Sequence, residues 1–246
     1  MITEWRNSMG SIIAMASGKG GTGKSTAAAF LGRALALRGK TVLLAEAPCG
    51  FRSLDLAFGL EDSAVYDCAD VLRGACRVSD AALDTGTLGL WLLPGSSDPS
   101  FAAEPPQWQR LMDLCRRCYD FTLLDLPAGL GPVVRMGCAA ADLTAAVVTP
   151  DPPAVRAAAA LGRVLQGARS AKMIINMVPP VLLGPLPDLD AVMDGVGMEL
   201  LGVVPLEPQV ARAAAGGVPL GRCRARTAFD NIAARLCKEP RPLCIK

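Results

Sequence analysis

At 246 residues, 51% of them apolar, the chain is long enough to bury one sizeable core, and α/β domains of this length are commonly single units. A formal net charge of +2 is too mild to imply a nucleic-acid-binding protein, though it leaves room for a local basic patch. The absence of histidine excludes mechanisms built on an imidazole base, nucleophile or metal ligand.

The opening MITEWRNSMG has no apolar stretch of signal-peptide length, and no later run approaches the roughly 18 apolar residues that a membrane span requires. The expectation is a cytoplasmic protein whose nine cysteines are reduced thiols rather than a disulfide framework. Residues 1–10 are read as an N-terminal extension, 11–237 as a single P-loop domain and 238–246 as a short tail. SIIAMA, at 11–16, is the first of seven short apolar runs, followed by TVLLAE, LGLWLLP, FTLLDLP, LTAAVVTP, AKMIINMV and LLGVVP. Runs with so little polar alternation predict strands covered on both faces. Helices are expected at about 24–38, ended by Gly39, at about 105–118 after EPP, at about 152–167 where PP opens an alanine-rich run, and at about 225–237. The predicted fold is α/β, a doubly wound, mostly parallel sheet flanked by helices.

Directly after the first run comes SGKGGTGKST, residues 17–26, in which Gly18, Gly23, Lys24 and Ser25 fit G-x-x-x-x-G-K-[ST] between a strand and a helix. Glycines let successive backbone N–H groups converge on phosphate oxygens, and the helix N-terminus adds its positive dipole end. Lys24 is expected to neutralise the β and γ phosphates of ATP and Ser25 to bind Mg²⁺ through its hydroxyl. Asp125, a lone acid ending the run FTLLD, is the expected carboxylate for the metal's water shell. Lys19 is a second lysine in the same loop. It would lie beside its own phosphates or reach a nucleotide held by a facing subunit, as an arginine finger does in trans.

The stretch 17–26 resembles the deviant phosphate-loop signature of the MinD/ParA ATPases, K-G-G-x-x-K-[ST], with Lys19 as the signature lysine. The similarity runs through YDFTLLDLPAGLG, ADLTAAVVTPDPPAVRAA, MIINMV and LLGVVPLEPQVARAAAGGVPL, over about residues 11–237. It implies an ATP-binding, ATP-dependent homodimer that hydrolysis opens, acting as a switch in cell-division site selection or related positioning, with a MinC-like division inhibitor or other regulator as partner. Carried over, Gly18, Lys19, Gly20, Gly21, Thr22, Gly23, Lys24, Ser25 and Thr26 would hold the nucleotide's phosphates, Lys19, Lys24, Asp125 and Glu46 would serve catalysis, and Ser25 and Asp125 the metal. Asn176 would read the adenine edge, and contacts from Pro205 and Glu207 would complete the base pocket.

The chain departs from the family pattern in three places. The first switch segment reads EAPCGFRSLD: Glu46 keeps the first acid, Pro48 stands where a second aspartate orients the attacking water, and Ser53 replaces an asparagine. A proline has no side-chain acceptor, so slow hydrolysis is expected, and a nucleotide-gated scaffold is the alternative reading. The tail CKEPRPLCIK, with Pro240 and Pro242, is not an amphipathic membrane helix. Membrane association would then need a partner or acylation of Cys237 or Cys244. CRRC, Cys115 to Cys118, has the spacing of an iron–sulfur carrier's ligands, but a single pair on a helix favours ordinary thiols. Arg222, Arg224 and Arg226 in GRCRAR could meet DNA phosphates as in ParA-like proteins, yet a solvated face is the favoured reading. Thr149, Asp151 and Arg156 stand at the carboxyl edge of a strand, where ligands usually sit, without an assigned chemistry.

Overall fold

All seven apolar runs fold as strands of one sheet in the computed structural model, which describes residues 9–49, 52–96, 98, 100–165, 170–183, 187–241 and 243. In chain order they are β1 (Ser11–Ser17), β2 (Val42–Glu46), β4 (Leu90–Leu93), β5 (Phe121–Ala128), β6 (Leu143–Val148), β7 (Ala171–Val178) and β8 (Glu199–Pro205), with a two-residue β3 (Leu83–Asp84) before β4. The sheet order is β3-β4-β2-β5-β1-β6-β7-β8. Every pairing is parallel except β3 with β4, at the edge. β2 is buried along its whole length, and β1 everywhere but its first residue, which is why these runs show no polar alternation.

Alternate residues of β1 feed two cores. Ile12, Ala14 and Ala16 join Trp108, Met112 and Ile175 on one face, while Ile13 and Met15 join Leu31, Phe229 and Ile232 on the other. The helices are α1 (Lys24–Ala36), α2 (Cys68–Arg73), α3 (Val78–Ala81), α4 (Pro105–Cys118), α5 (Pro132–Ala140), α6 (Pro152–Val164), α7 (Pro187–Val196), α8 (Pro208–Ala215) and α9 (Arg224–Leu236). α1 and α9 pack together on the second face.

α1 ends two residues before the expected limit and α9 starts one residue early; the expected end of α6 at 166–167 lies outside the described residues, as do residues 1–8, Gly50, Phe51, Pro242 and Cys244. α2, α3, α5, α7 and α8 were not individually predicted. The sequence carries a signal for most of them, since α4 through α8 all begin at a proline, whose fixed φ and missing N–H suit a first turn. α2 is fixed by a capping box, Asp67 accepting from Ala69 N and Asp70 N while Asp70 accepts from Asp67 N. After Leu236 the described residues are turn and coil. No helix among them is long and apolar enough to cross a membrane.

Candidate nucleotide-binding site

The strand order reverses around β1, so the carboxyl ends of β1, β2, β5 and β6 and the loops after them enclose a crevice of the kind in which open α/β sheets bind ligands. The loop Gly18–Gly23 lies there. Two of its glycines are dictated by space. A Cβ on Gly18 would sit 2.3 Å from the Ala157 carbonyl oxygen of α6; one on Gly23, already at φ +77°, would sit 2.6 Å from the Asn176 amide nitrogen. Gly23 is also the N-cap of α1, with no side-chain cap and no acid in the first turn. The first N–H groups of the helix are thus left for an outside acceptor, and the dipole there favours an anion. Beside them the buried Thr22 hydroxyl lacks a hydrogen-bond partner among the described residues. This is a cradle that phosphate oxygens fit.

Three side chains converge at the mouth of the loop. Lys24 Nζ donates to Asp125 Oδ1 at 2.6 Å and to Ser25 Oγ at 3.3 Å, and Ser25 Oγ donates to Asp125 Oδ2 at 2.7 Å. Asp125 reaches this point because β5 lies beside β1, pairing Asp125 with Met15. A hydroxyl and a carboxylate are hard oxygen donors of the kind Mg²⁺ takes, together with phosphate oxygens and water.

On its other side Asp125 pairs in register with Glu46, the last residue of β2. Glu46 is buried, and its carboxyl is pushed up to about 7, first by burial and then by the charge of Asp125. Three donors hold it in place: Ser53 N at 2.7 Å, Ser53 Oγ at 3.0 Å and Gly95 N at 3.3 Å. Lys24, Ser25, Glu46, Cys49, Ser53 and Asp125 line a recess of 190 Å³ together with backbone after Asp125. Pro48 is buried and does not line it; Cys49 and Ser53 face the recess instead.

Lys19 stands apart from this cluster. Its Nζ donates to Asp151 Oδ1 at 3.1 Å, with both side chains about half exposed. Asp151 also accepts from the Thr149 hydroxyl and caps α6 through Ala154 N, and these donors, Thr149 foremost, hold its carboxyl below the usual range. Sequence reading placed Asp151 at the sheet edge but not its partner, which is 132 residues away. The run D-P-P, an acid ahead of two prolines, is the signal that marks it as a cap.

Asn176 is buried at the end of β7, its amide nitrogen donating to Thr22 O at 2.8 Å. The β7–β8 register shifts between Ile175 and Val178, and Met177 has φ +55°. Such an outlier in a non-glycine residue is a strained feature that bulges use to re-aim a side chain. Pro205 closes β8, and Leu206 N donates to Val178 O, tying the ends of β7 and β8 together. The Glu207 carboxylate accepts from Arg224 N and Ala225 N at the start of α9, so in this conformation it braces two helices.

The remaining signals lie away from the loop. Cys115 is buried in α4 with its thiol pushed up to about 12 by burial, and Cys118 is partly buried. Among the described residues no group of three or more metal-ligating side chains assembles. Arg224 and Arg226 belong to the first turn of α9, with Arg222 just before it.

Sheet order, glycine cradle and the Lys24–Ser25–Asp125 cluster define a P-loop nucleotide-binding protein of the doubly wound α/β class. Residues 13–220 match the CobQ/CobB/MinD/ParA nucleotide binding domain. The chain belongs to that family and is similar to its MinD members. It is 32% identical to the septum site-determining protein MinD of Bacillus subtilis, over 96% of this chain and 92% of that protein. The MinC:MinD cell division protein complex of Aquifex aeolicus superposes with a TM-score of 0.87 at 32% identity, covering 95% of this chain and 98% of its counterpart. The MinD of Pyrococcus horikoshii, solved with Mg-ADP, superposes with a TM-score of 0.83 at 28% identity, over 94% of this chain and 97% of the other.

Proposed function

We propose that this chain is an ATP-dependent dimerising ATPase of the septum-site-determining type, in which Mg·ATP closes the dimer and hydrolysis opens it. The observation that carries the reading is the division of labour between two lysines: Lys24 is committed to Asp125 and Ser25 inside the recess, whereas Lys19 is half exposed beside the loop and held only by Asp151. A lysine serving the loop's own phosphates has no need of an outward position; one that completes the charge around a facing subunit's nucleotide does. When bound, the nucleotide would supply the phosphoanhydride bond, and Mg²⁺ positive charge against its phosphates. Lys24 and the α1 N-terminus would then hold the phosphates, Ser25 and Asp125 the metal, and Asn176, Pro205 and Glu207 the base. The Aquifex structure is a complex with MinC, and a MinC-like division inhibitor is the partner this reading supplies. Nucleotide-dependent sizing tests it: the protein should run as a dimer with Mg·ATP and as a monomer with Mg·ADP. Lys19→Ala should keep its ATP affinity within a few-fold and lose the dimer, and a dimer that persists in that variant sinks the trans role.

A second reading, a scaffold gated by nucleotide with little hydrolysis, is favoured by one specific observation. Pro48 offers no side-chain acceptor, and the Glu46 carboxylate in the recess is already engaged by three donors. Turnover of several per second in a single-turnover assay would eliminate it.

A further inference from the structure

The far end of α1 forms, with α9, a second recess that the nucleotide reading does not use. It has a volume of 190 Å³ and is walled by Phe30, Leu37, Leu220 and Phe229. That is smaller than the roughly 300 Å³ at which small-molecule pockets begin, and the size at which one bulky apolar anchor is buried at an interface. Leu37 is 67% exposed among the residues that line it. The buried Arg33 lines it too: its terminal nitrogens donate to the carbonyls of Ala57, Gly217 and Val218, while its Nε has no partner among the described residues. Directly beside it a 400 Å³ depression is lined by Arg38, Arg226 and Arg241, with Asp230 and Asn231. Arg38 pairs with Glu239 through one terminal nitrogen, and its Nε also lacks a partner among the described residues.

The charge of the molecule is gathered here. Residues 33–40 hold three basic residues and no acid, and residues 218–241 hold six basic residues against Asp230 and Glu239, a total of +7. Since the whole chain carries +2, everything else carries −5.

We propose that the α1–α9 groove is a docking site for an acidic partner segment that seats a large apolar side chain between Leu37 and Phe229 and lays its carboxylates on Arg38, Arg226 and Arg241. Planar guanidinium groups match carboxylates, and an apolar anchor ringed by arginines is the composition of an interface centre. A bilayer is disfavoured because the apolar wall is recessed between two helices, where a flat surface does not reach. A nucleic-acid backbone would use the arginines and leave the apolar recess unfilled. The site is independent of the nucleotide reading: along α1 it runs from Phe30, roughly 10 Å from the loop, to Leu37, roughly 20 Å away.

A selection from a random dodecapeptide display library against the nucleotide-free full chain tests this. The expected winners carry glutamate or aspartate around one or two of leucine, isoleucine, phenylalanine or methionine. A synthetic, dye-labelled winner should bind in fluorescence anisotropy, and binding should weaken about tenfold or more for Leu37→Glu and several-fold for Arg241→Glu. Arg156→Glu, an exposed charge change on α6, should leave it unaltered. Circular dichroism melts check that the variants fold. The proposal is overturned if no peptides are enriched, if the winners lack acids or large apolar residues, or if Leu37→Glu binds as well as the unmodified chain. Stronger, Leu37-sensitive binding of duplex DNA or phosphatidylglycerol vesicles, or self-association abolished by Leu37→Glu, would also overturn it.

Discussion

The phosphate loop and the segment from Glu46 to Asp55 face the same recess and are built in opposite ways. The loop is fixed by backbone requirements: Gly18 against Ala157, Gly23 against Asn176, an uncapped helix start. The segment after β2 is held through charged side chains: the Glu46 carboxylate accepts from Ser53 N, Ser53 Oγ and Gly95 N, and Arg52 pairs with Asp55 at 2.9 Å. A loop shaped by close packing admits almost no substitution, whereas side-chain clamps can be exchanged. The chain keeps the signature of the first and departs from the family in the second. On the proposed reading, holding a nucleotide and turning it over rest on different segments, and the departures would fall on turnover.

The largest effect should come from striking the loop. Lys24→Ala removes the cation from the recess and leaves buried Asp125 with the Ser25 hydroxyl but without its counter-charge, and ATP affinity by calorimetry should fall about 10³-fold. If binding survives within tenfold, the loop is not the grip. Next is Pro48→Asp, which sharpens the comparison by changing turnover alone. A restored water-orienting acceptor should raise the single-turnover rate by about 10²-fold without tightening ATP binding. Because Pro48 is buried, the variant should also melt lower, and an unchanged rate would direct attention to Ser53. The smallest effect concerns Glu46 in the nucleotide-free protein. Its folded carboxyl lies near 7, above its ordinary value of 4.5, so folding favours the protonated form. The stability this contributes is complete below pH 4.5 and is lost as pH rises through 7. Glu46→Gln stays neutral, so its urea-unfolding free energy relative to the unmodified chain should rise across that window by on the order of 2 kcal/mol. A pH-independent difference between the two would show that Glu46 is not held in the way described.

What was legible in the sequence follows the same division. Seven strands could be read because burial on both faces leaves unbroken apolar runs, and Lys24, Ser25 and Asp125 because a motif spacing and a strand-end acid are local facts. The Glu46–Ser53 clamp was not legible: EAPCGFRSLD shows an acid and a serine seven residues apart, but only the fold turns the chain back between them. The Lys19–Asp151 pair joins residues just past the ends of β1 and β6, neighbours in the sheet but 132 residues apart in the chain. Glu207 is expected at the base pocket through backbone or side chain, but that its carboxylate also accepts from the start of α9 could not be read, because the sequence does not place that N-terminus beside it. β3 and α3, two and four residues long, are below the length at which periodicity exists at all.

Asn176 bonds to Thr22 O from beneath the loop, and its amide sits where a side chain on Gly23 would go. β7 is therefore also a stay for the loop. The amide keeps a second N–H and its carbonyl oxygen for another partner, so a ligand met by Asn176 at the end of β7 would be tied through one side chain to the backbone of the phosphate loop.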